Sequence, residues 1–164
     1  MGDSTFDKAL TFSMREEVGA FFNPNDPVVQ LGLCETATHK KQTGYSCTVG
    51  DNGGETKFGI AKNANPSVNI KTLTYSQAEE IYKTKYWGAM KLDKISSVKI
   101  ATILLDTAIN CGVGFASKML QRVLNLSADG IIGNVTIASC NAANENILVQ
   151  KLLQARRERY ATVS

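Results

Sequence analysis

Glu16 and Glu17 stand side by side in the stretch MREEVGAFFNPNDP, residues 14 to 27, and Asp51, Glu55 and Thr56 are gathered around a double glycine in GDNGGET. Carboxyl groups that hold or withdraw a proton are the parts of a general acid–base pair, and a hydroxyl beside them can fix a water by hydrogen bonding. The two glutamates separate on a helical wheel. With Leu10 set to zero and about 100° per residue, Phe6, Met14 and Phe21 fall within about 40° and Glu17 about 20° away, whereas Glu16 falls about 120° away. Glu17 is therefore expected on the apolar stripe, where loss of water raises a carboxyl pKa and prepares it to donate a proton. The alternative is a structural glutamate that neutralises a buried cation or caps amides of the loop that follows.

The second group has the same two sides. A double glycine lets a turn present Asp51 and Thr56 to a cleft with little obstruction, yet Asp and Gly are also the ordinary residues of a solvated hairpin turn. Glu55 alternates with Thr56 along the expected strand, so one of the two faces the cleft. Trp87 and Tyr86 end a helix and either stack on a ligand ring or fill the core. Asp106, Asn110 and Gln121 are polar residues on otherwise apolar helices, placed there to line a groove or to satisfy one another. The only histidine is His39, and Cys34, Cys47, Cys111 and Cys140 have no CxxC spacing, so no metal site or cofactor is expected. Four free thiols are expected, with Cys111 and Cys140 buried and Cys34 and Cys47 flanking a loop.

These residues need a scaffold that is mostly helical. Residues 4 to 20 read as a first helix, capped by Ser4 or Thr5 and stopped by NPNDP. Residues 22 to 72 hold all three prolines and read as an irregular lobe with one hairpin, its strands in GYSCTV and TKFGIA. From Leu73 the chain reads as helices. LTYSQAEEIYKTKYW opens with a Thr74–Gln77 capping box and carries Ala78, Ile81, Tyr82 and Tyr86 on one face. SSVKIATILLDTAINCGVG is a buried central helix capped by Ser96 or Ser97 and ended at Gly112. FASKMLQRVLNL, NVTIASCNAAN and ENILVQKLLQARRERYATV add three more, the last with Ile147, Leu148, Leu152 and Tyr160 on its apolar face. The class is mainly α (α+β), a helical bundle with a small β-hairpin lobe. One domain is expected over 1–164, with residues 1–72 as first helix and hairpin lobe and 73–164 as helical lobe.

At 164 residues with 43% hydrophobic and 20% charged residues, the chain has an ordinary globular balance. The formal charge of +3 suits an acidic polymer as partner but does not choose among nucleic acid, membrane surface and cell wall. The basic residues form no stripe interleaved with aromatics, and there is neither a P-loop nor a GxGxxG, which disfavours nucleic acid and nucleotides. No apolar run approaches the roughly 20 residues of a membrane span, and MGDSTFDKAL lacks the features of a signal peptide. The protein is therefore expected to be made in a cytoplasm, without stable membrane insertion, and to be a monomer.

Three ordered blocks, DNGGETKFGIA, LTYSQAEEIYKTKYW and DTAINCGVGFASKMLQRVLNLSADGIIGNVT, resemble glycoside hydrolase family 108. That family comprises phage endolysins and related N-acetylmuramidases with a lysozyme-like fold and a C-terminal peptidoglycan-binding-type segment, here about 101–164. Its pattern E-G-G-Y-x-x-D-P-x-D-x-G-G-x-T-x-x-G-I is met in pieces: Glu17, then Gly44 and Tyr45, then Asp51, Gly53, Gly54 and Thr56, then Gly59 and Ile60. Val18 replaces the glycine after the acid, residues 20 to 43 read as an insertion, and Thr48 and Val49 stand near the usual D-P.

The resemblance implies a peptidoglycan hydrolase that cuts between N-acetylmuramic acid and N-acetylglucosamine. Glu17 would be the proton donor, with Asp51 orienting water or stabilising the oxocarbenium-like transition state and Thr56 holding that water. Tyr45, Trp87, Asn110 and Gln121 are the expected substrate contacts. The enzyme would act on the wall after release from the host cytoplasm through a separate pore. The alternatives are a lytic transglycosylase on the same fold and a non-catalytic wall-binding or virion structural protein.

Overall fold

The computed structural model describes residues 4–47 and 54–163. In chain order it has α1 (Thr5–Glu17), α2 (Pro27–Leu31), α3 (Ala37–Thr43), β1 (Ser46–Cys47), β2 (Glu55–Lys57), β3 (Ile60–Ala61), α4 (Tyr75–Tyr82), α5 (Val98–Cys111), α6 (Val113–Val123), α7 (Asn134–Ala142) and α8 (Glu145–Val163). A π turn at Lys83–Trp87 and a 3-10 turn at Leu92–Lys94 lie between α4 and α5. The expected class, mainly α with a small β lobe, is what the chain adopts. The chain forms two compact units, Thr11–Tyr82 and a second made of the residues through Leu10 with those from Lys83 onward.

In the unit Thr11–Tyr82, the first helix stops at Glu17, three residues earlier than expected. Gly19 adopts φ +153°, which L side chains rarely accept, and the Phe22 N–H then donates to the Gly19 carbonyl at 2.9 Å. The wheel no longer applies past Glu17, so Phe21 lies out in solvent and Phe22 enters the core in its place. Phe22, Phe58 and Tyr75 form an aromatic cluster with centroid distances of 5.3 to 6.3 Å.

The stretch expected to be irregular contains two short helices. Asp26 caps α2, its carboxylate accepting from the Val28 N–H at 2.8 Å, and Pro27 takes the first helical position, where its missing N–H costs nothing. Thr36 caps α3 by accepting from the His39 N–H at 3.0 Å. Gly32 closes α2 at φ +65°, and a Cβ there would lie 1.9 Å from the Leu73 carbonyl oxygen, so only glycine permits that approach.

Beneath these elements lies Lys57, with 0% of its surface exposed. Its ammonium donates to the carbonyls of Gly32, Lys71 and Leu73 at 2.6, 2.7 and 3.0 Å. Burying an ammonium costs several kcal/mol, which three charge-assisted hydrogen bonds offset, since they use each of its donors. Burial lowers the Lys57 pKa from its ordinary value. The lysine thereby ties β2, the end of α2 and the entry to α4 together. The Thr74–Gln77 capping box at that entry forms as expected, with bonds of 2.9 and 3.3 Å.

The second unit is helical throughout. Phe6 meets Trp87 edge to face with centroids 5.4 Å apart. Ser97 caps α5 by accepting from the Ile100 N–H at 3.2 Å, and α5 buries Leu104, Leu105 and Ala108 while packing against α6 and α8. Asp106, also buried, pairs with Arg156 of α8 at 2.8 Å. Removing one partner of such a pair strands the other charge and costs about 3 to 5 kcal/mol. Of the expected apolar face of α8, Leu148 and Leu152 are buried, whereas Ile147 and Tyr160 are exposed. All four cysteines are free thiols; Cys34 and Cys140 are buried, Cys47 is exposed, and Cys111 is only half-buried.

Candidate active site

Near Glu17 lies the turn between β2 and β3. Thr56 pairs with Ala61 and Lys57 with Ile60, leaving Phe58 and Gly59 as a two-residue turn at φ +53° and +76°. Positive φ at both central residues is the type I′ geometry that matches strand twist. Phe58 pays for this unusual backbone by burying its ring, and the turn is gripped from both sides. The Phe58 N–H donates to the Thr43 carbonyl at 2.9 Å, and the Tyr82 hydroxyl donates to the Phe58 carbonyl at 2.7 Å.

Glu17 lies against this turn. A Cβ at Gly59 would fall 2.6 Å from the Tyr82 hydroxyl, 3.7 Å from Glu17 Cγ and 3.8 Å from Glu17 Oε2. A side chain at Gly59 would collide with the Tyr82 hydroxyl, whereas Glu17 lies at ordinary contact distance from the same point. Glu17 is exposed and not core-facing, which corrects the wheel expectation. The helix ends at this residue, so the stripe does not continue around it, and its access to water is that of a helix terminus over an open turn.

The sheet carries the other residues of this unit. Thr56 pairs with Ser46 across β1 and β2, their hydroxyls 2.9 Å apart. The Tyr45 hydroxyl donates to Glu55 Oε2 at 2.5 Å, and that bond, followed by burial, raises the Tyr45 pKa above its ordinary value. Glu55 and Thr56 thus have different partners, as alternation along a strand requires. The Lys57 ammonium lies 6.0 Å from the Tyr45 ring centroid. Asp51 lies outside the described residues, as does the turn expected around it.

Trp87, Asn110 and Gln121 belong to the other unit. Trp87 is 5% exposed, and its packing on Phe6 gives it the core role that was the alternative to ring stacking. Asn110 is exposed and donates to the Asp106 carbonyl at 3.0 Å. Gln121 is buried and organises the loop ADGIIG: its Nε2 donates to Asp129 Oδ1 and the Ile131 carbonyl, both at 2.9 Å, and its Oε1 accepts from the Gly130 N–H at 2.9 Å. In this arrangement its amide is satisfied within the protein. A groove of about 450 Å³ between α6 and α8 is lined by Phe115, Met119, Arg122, Glu158 and Arg159, with the Arg159 guanidinium 4.9 Å from the Phe115 ring centroid.

Sequence reasoning placed Tyr82 only as an apolar residue of α4. Its hydroxyl grip on the turn was not expected, because the carbonyl it meets is 24 residues away. Among the described residues no cluster of histidine, cysteine and carboxylate side chains is suited to a metal ion.

The family model described as Glycosyl hydrolase 108 matches residues 36–112, and the one described as Predicted Peptidoglycan domain matches residues 115–164. The fold is similar to the solved "Structure of Brucella abortus SagA", with a TM-score of 0.68 and 27% identity, covering 93% of this chain and 77% of that one. No curated protein matches. The resemblance read from the three sequence blocks is borne out, and Glu17 lies ahead of the first matched segment.

Proposed function

We propose that this chain cleaves the bond between N-acetylmuramic acid and N-acetylglucosamine with Glu17 as general acid; its Glycosyl hydrolase 108 and peptidoglycan-domain matches support a peptidoglycan-degrading enzyme. The observation that carries this reading is the Glu17 carboxylate held open to solvent against the bare Gly59 of a doubly gripped turn, in the same unit as Thr56. A glycosidic oxygen must receive a proton as its bond breaks, and an accessible carboxyl beside a fixed turn can reach one.

Asp51 supplies the second carboxylate in this account, orienting water or stabilising the oxocarbenium-like transition state, and the Thr56 hydroxyl holds that water. Ser46 supports Thr56, and the Tyr45 ring borders the same sheet, its hydroxyl committed to Glu55. Asn110 and the α6–α8 surface of the peptidoglycan segment hold further parts of the polymer. The protein acts as a monomer on the wall, without nucleic acid, after release through a separate membrane pore, as a phage endolysin with lysozyme activity would. No helix among the described residues is long and apolar enough to cross a membrane.

The test is digestion of purified sacculi by the wild type and Glu17→Gln. Losing a general acid is expected to lower the rate by about 10²- to 10⁴-fold. Undiminished digestion by Glu17→Gln would remove Glu17 from the role, and products ending in 1,6-anhydro-muramic acid would replace hydrolysis with transglycosylation.

A further inference from the structure

The segment between Glu17 and α3 has a feature that the catalytic account does not use. Phe21 is 49% exposed, and its ring packs on the backbone at Gly19. Its ring lies against Gly19, where a Cβ would come within 2.2 Å of Phe21 Cε1, so the glycine is needed for the ring to occupy this position. The next residue, Phe22, is anchored between Phe58 and Tyr75, and its carbonyl accepts from Arg15 Nε at 3.4 Å. An aromatic ring held at the surface by its own backbone loses little conformational freedom on binding a ligand.

A cation stands beside it. The Lys41 ammonium lies 5.5 Å from the Phe21 ring centroid. Lys41 comes from α3, which is fixed by its Thr36 cap and by the bond from Gln42 Nε2 to Asp26 Oδ2 at 3.2 Å. Both residues belong to the unit that holds Glu17, and Phe21 follows Glu17 by four positions.

We propose that Phe21 and Lys41 form a substrate subsite for a sugar bearing an anionic peptide, the pyranose stacking on the Phe21 ring and Lys41 pairing with a peptide carboxylate. The inference rests on the reading of peptidoglycan as substrate and deepens it. One face of a pyranose presents C–H groups that pack on an aromatic ring, and an ammonium beside that ring selects a sugar with a carboxylate-bearing substituent over a neutral one. The stretch between Glu17 and the sheet, which the sequence presents as an insertion, thereby becomes a clamp for the peptide-bearing sugar in the unit that holds the proton donor.

The test uses soluble glycan strands that retain their peptides and the same strands stripped of peptide. Dissociation constants are measured by calorimetry in a Glu17→Gln background, and KM and kcat in the active protein. Phe21→Ala is expected to raise Kd and KM about tenfold with kcat within about twofold, and Phe21→Trp to restore binding. Lys41→Gln is expected to weaken peptide-bearing strands more than stripped ones, with a difference that shrinks as salt is added. Phe21→Ala binding like its parent, or Lys41→Gln weakening both strands equally, would overturn the subsite. Strands that bind the parent and lose affinity on Phe21→Ala, but are never cut by the active protein, would retain the subsite and remove the hydrolytic reading. Strands that do not bind the parent would remove the subsite.

Discussion

Gly59 sits in the turn against which Glu17 lies. Its φ of +76° and the 2.6 Å between a would-be Cβ and the Tyr82 hydroxyl mean that alanine must both strain the backbone and displace a hydrogen bond. Gly59→Ala is expected to cost about 1 to 3 kcal/mol in thermal or denaturant unfolding. It is also expected to lower activity further than that stability loss explains, because the turn against which Glu17 rests would move. Sacculus digestion well below the unfolding temperature separates the two effects; wild-type activity there would show that the turn does not position the acid. The sequence named Glu17, Thr56 and Gly59 through the family pattern, but its wheel put Glu17 in the core. Glu17 is the last residue of α1, and periodicity carries no information about where a helix ends.

At the scale of elements, what was legible followed from short-range chemistry. The Thr74–Gln77 box, the Ser97 cap and the stop at Gly112 are local signals, and they formed as read. The two helices α2 and α3 were missed although their caps are local too. Two prolines in NPNDP read as a stop, while Asp26 followed by Pro27 is equally a start. The role of Gln121 was not legible, because it depends on a loop folding back over α6. That loop has a pH signature. Bonds from the Ile131 N–H and then Gln121 hold the Asp129 carboxyl below its ordinary pKa. A depressed carboxyl pKa stabilises the fold above the unfolded value of about 3.9, and the contribution is lost as pH falls through the lower folded value. The Gly130 and Ile131 amide resonances are expected to titrate in that acidic window and to stop doing so in Asp129→Asn. Resonances that titrate identically in both would show that another group governs the loop.

For the whole molecule, the two matched family segments do not coincide with the two compact units. Residues 83 to 112 belong to the Glycosyl hydrolase 108 match, yet they pack into one unit with the peptidoglycan segment. Helix α5 buries Leu104, Leu105 and Ala108 and packs against α6 and α8, and the Asp106–Arg156 pair joins the two segments. Ending the chain at residue 114 would expose that apolar face and strand Asp106, so the remainder is expected to lose cooperative unfolding in circular dichroism and calorimetry. A truncated chain that still unfolds in one sharp transition would mean that the peptidoglycan segment is a detachable module. The sequence division at residues 72 and 73 followed the change in texture from glycine-rich to helical. A contact such as Tyr82 to Phe58 pairs residues across that change, which no local reading of composition reveals.

The central claim is that Glu17 delivers the proton that breaks the muramic acid–glucosamine bond. It is tested most directly by identifying the sugar at the new reducing end of digested sacculi, comparing the wild type with Glu17→Gln by mass spectrometry. Reducing N-acetylmuramic acid ends are expected from the wild type and at most about one hundredth as many from Glu17→Gln. Equal release by the two proteins, or reducing N-acetylglucosamine ends from the wild type, would contradict it.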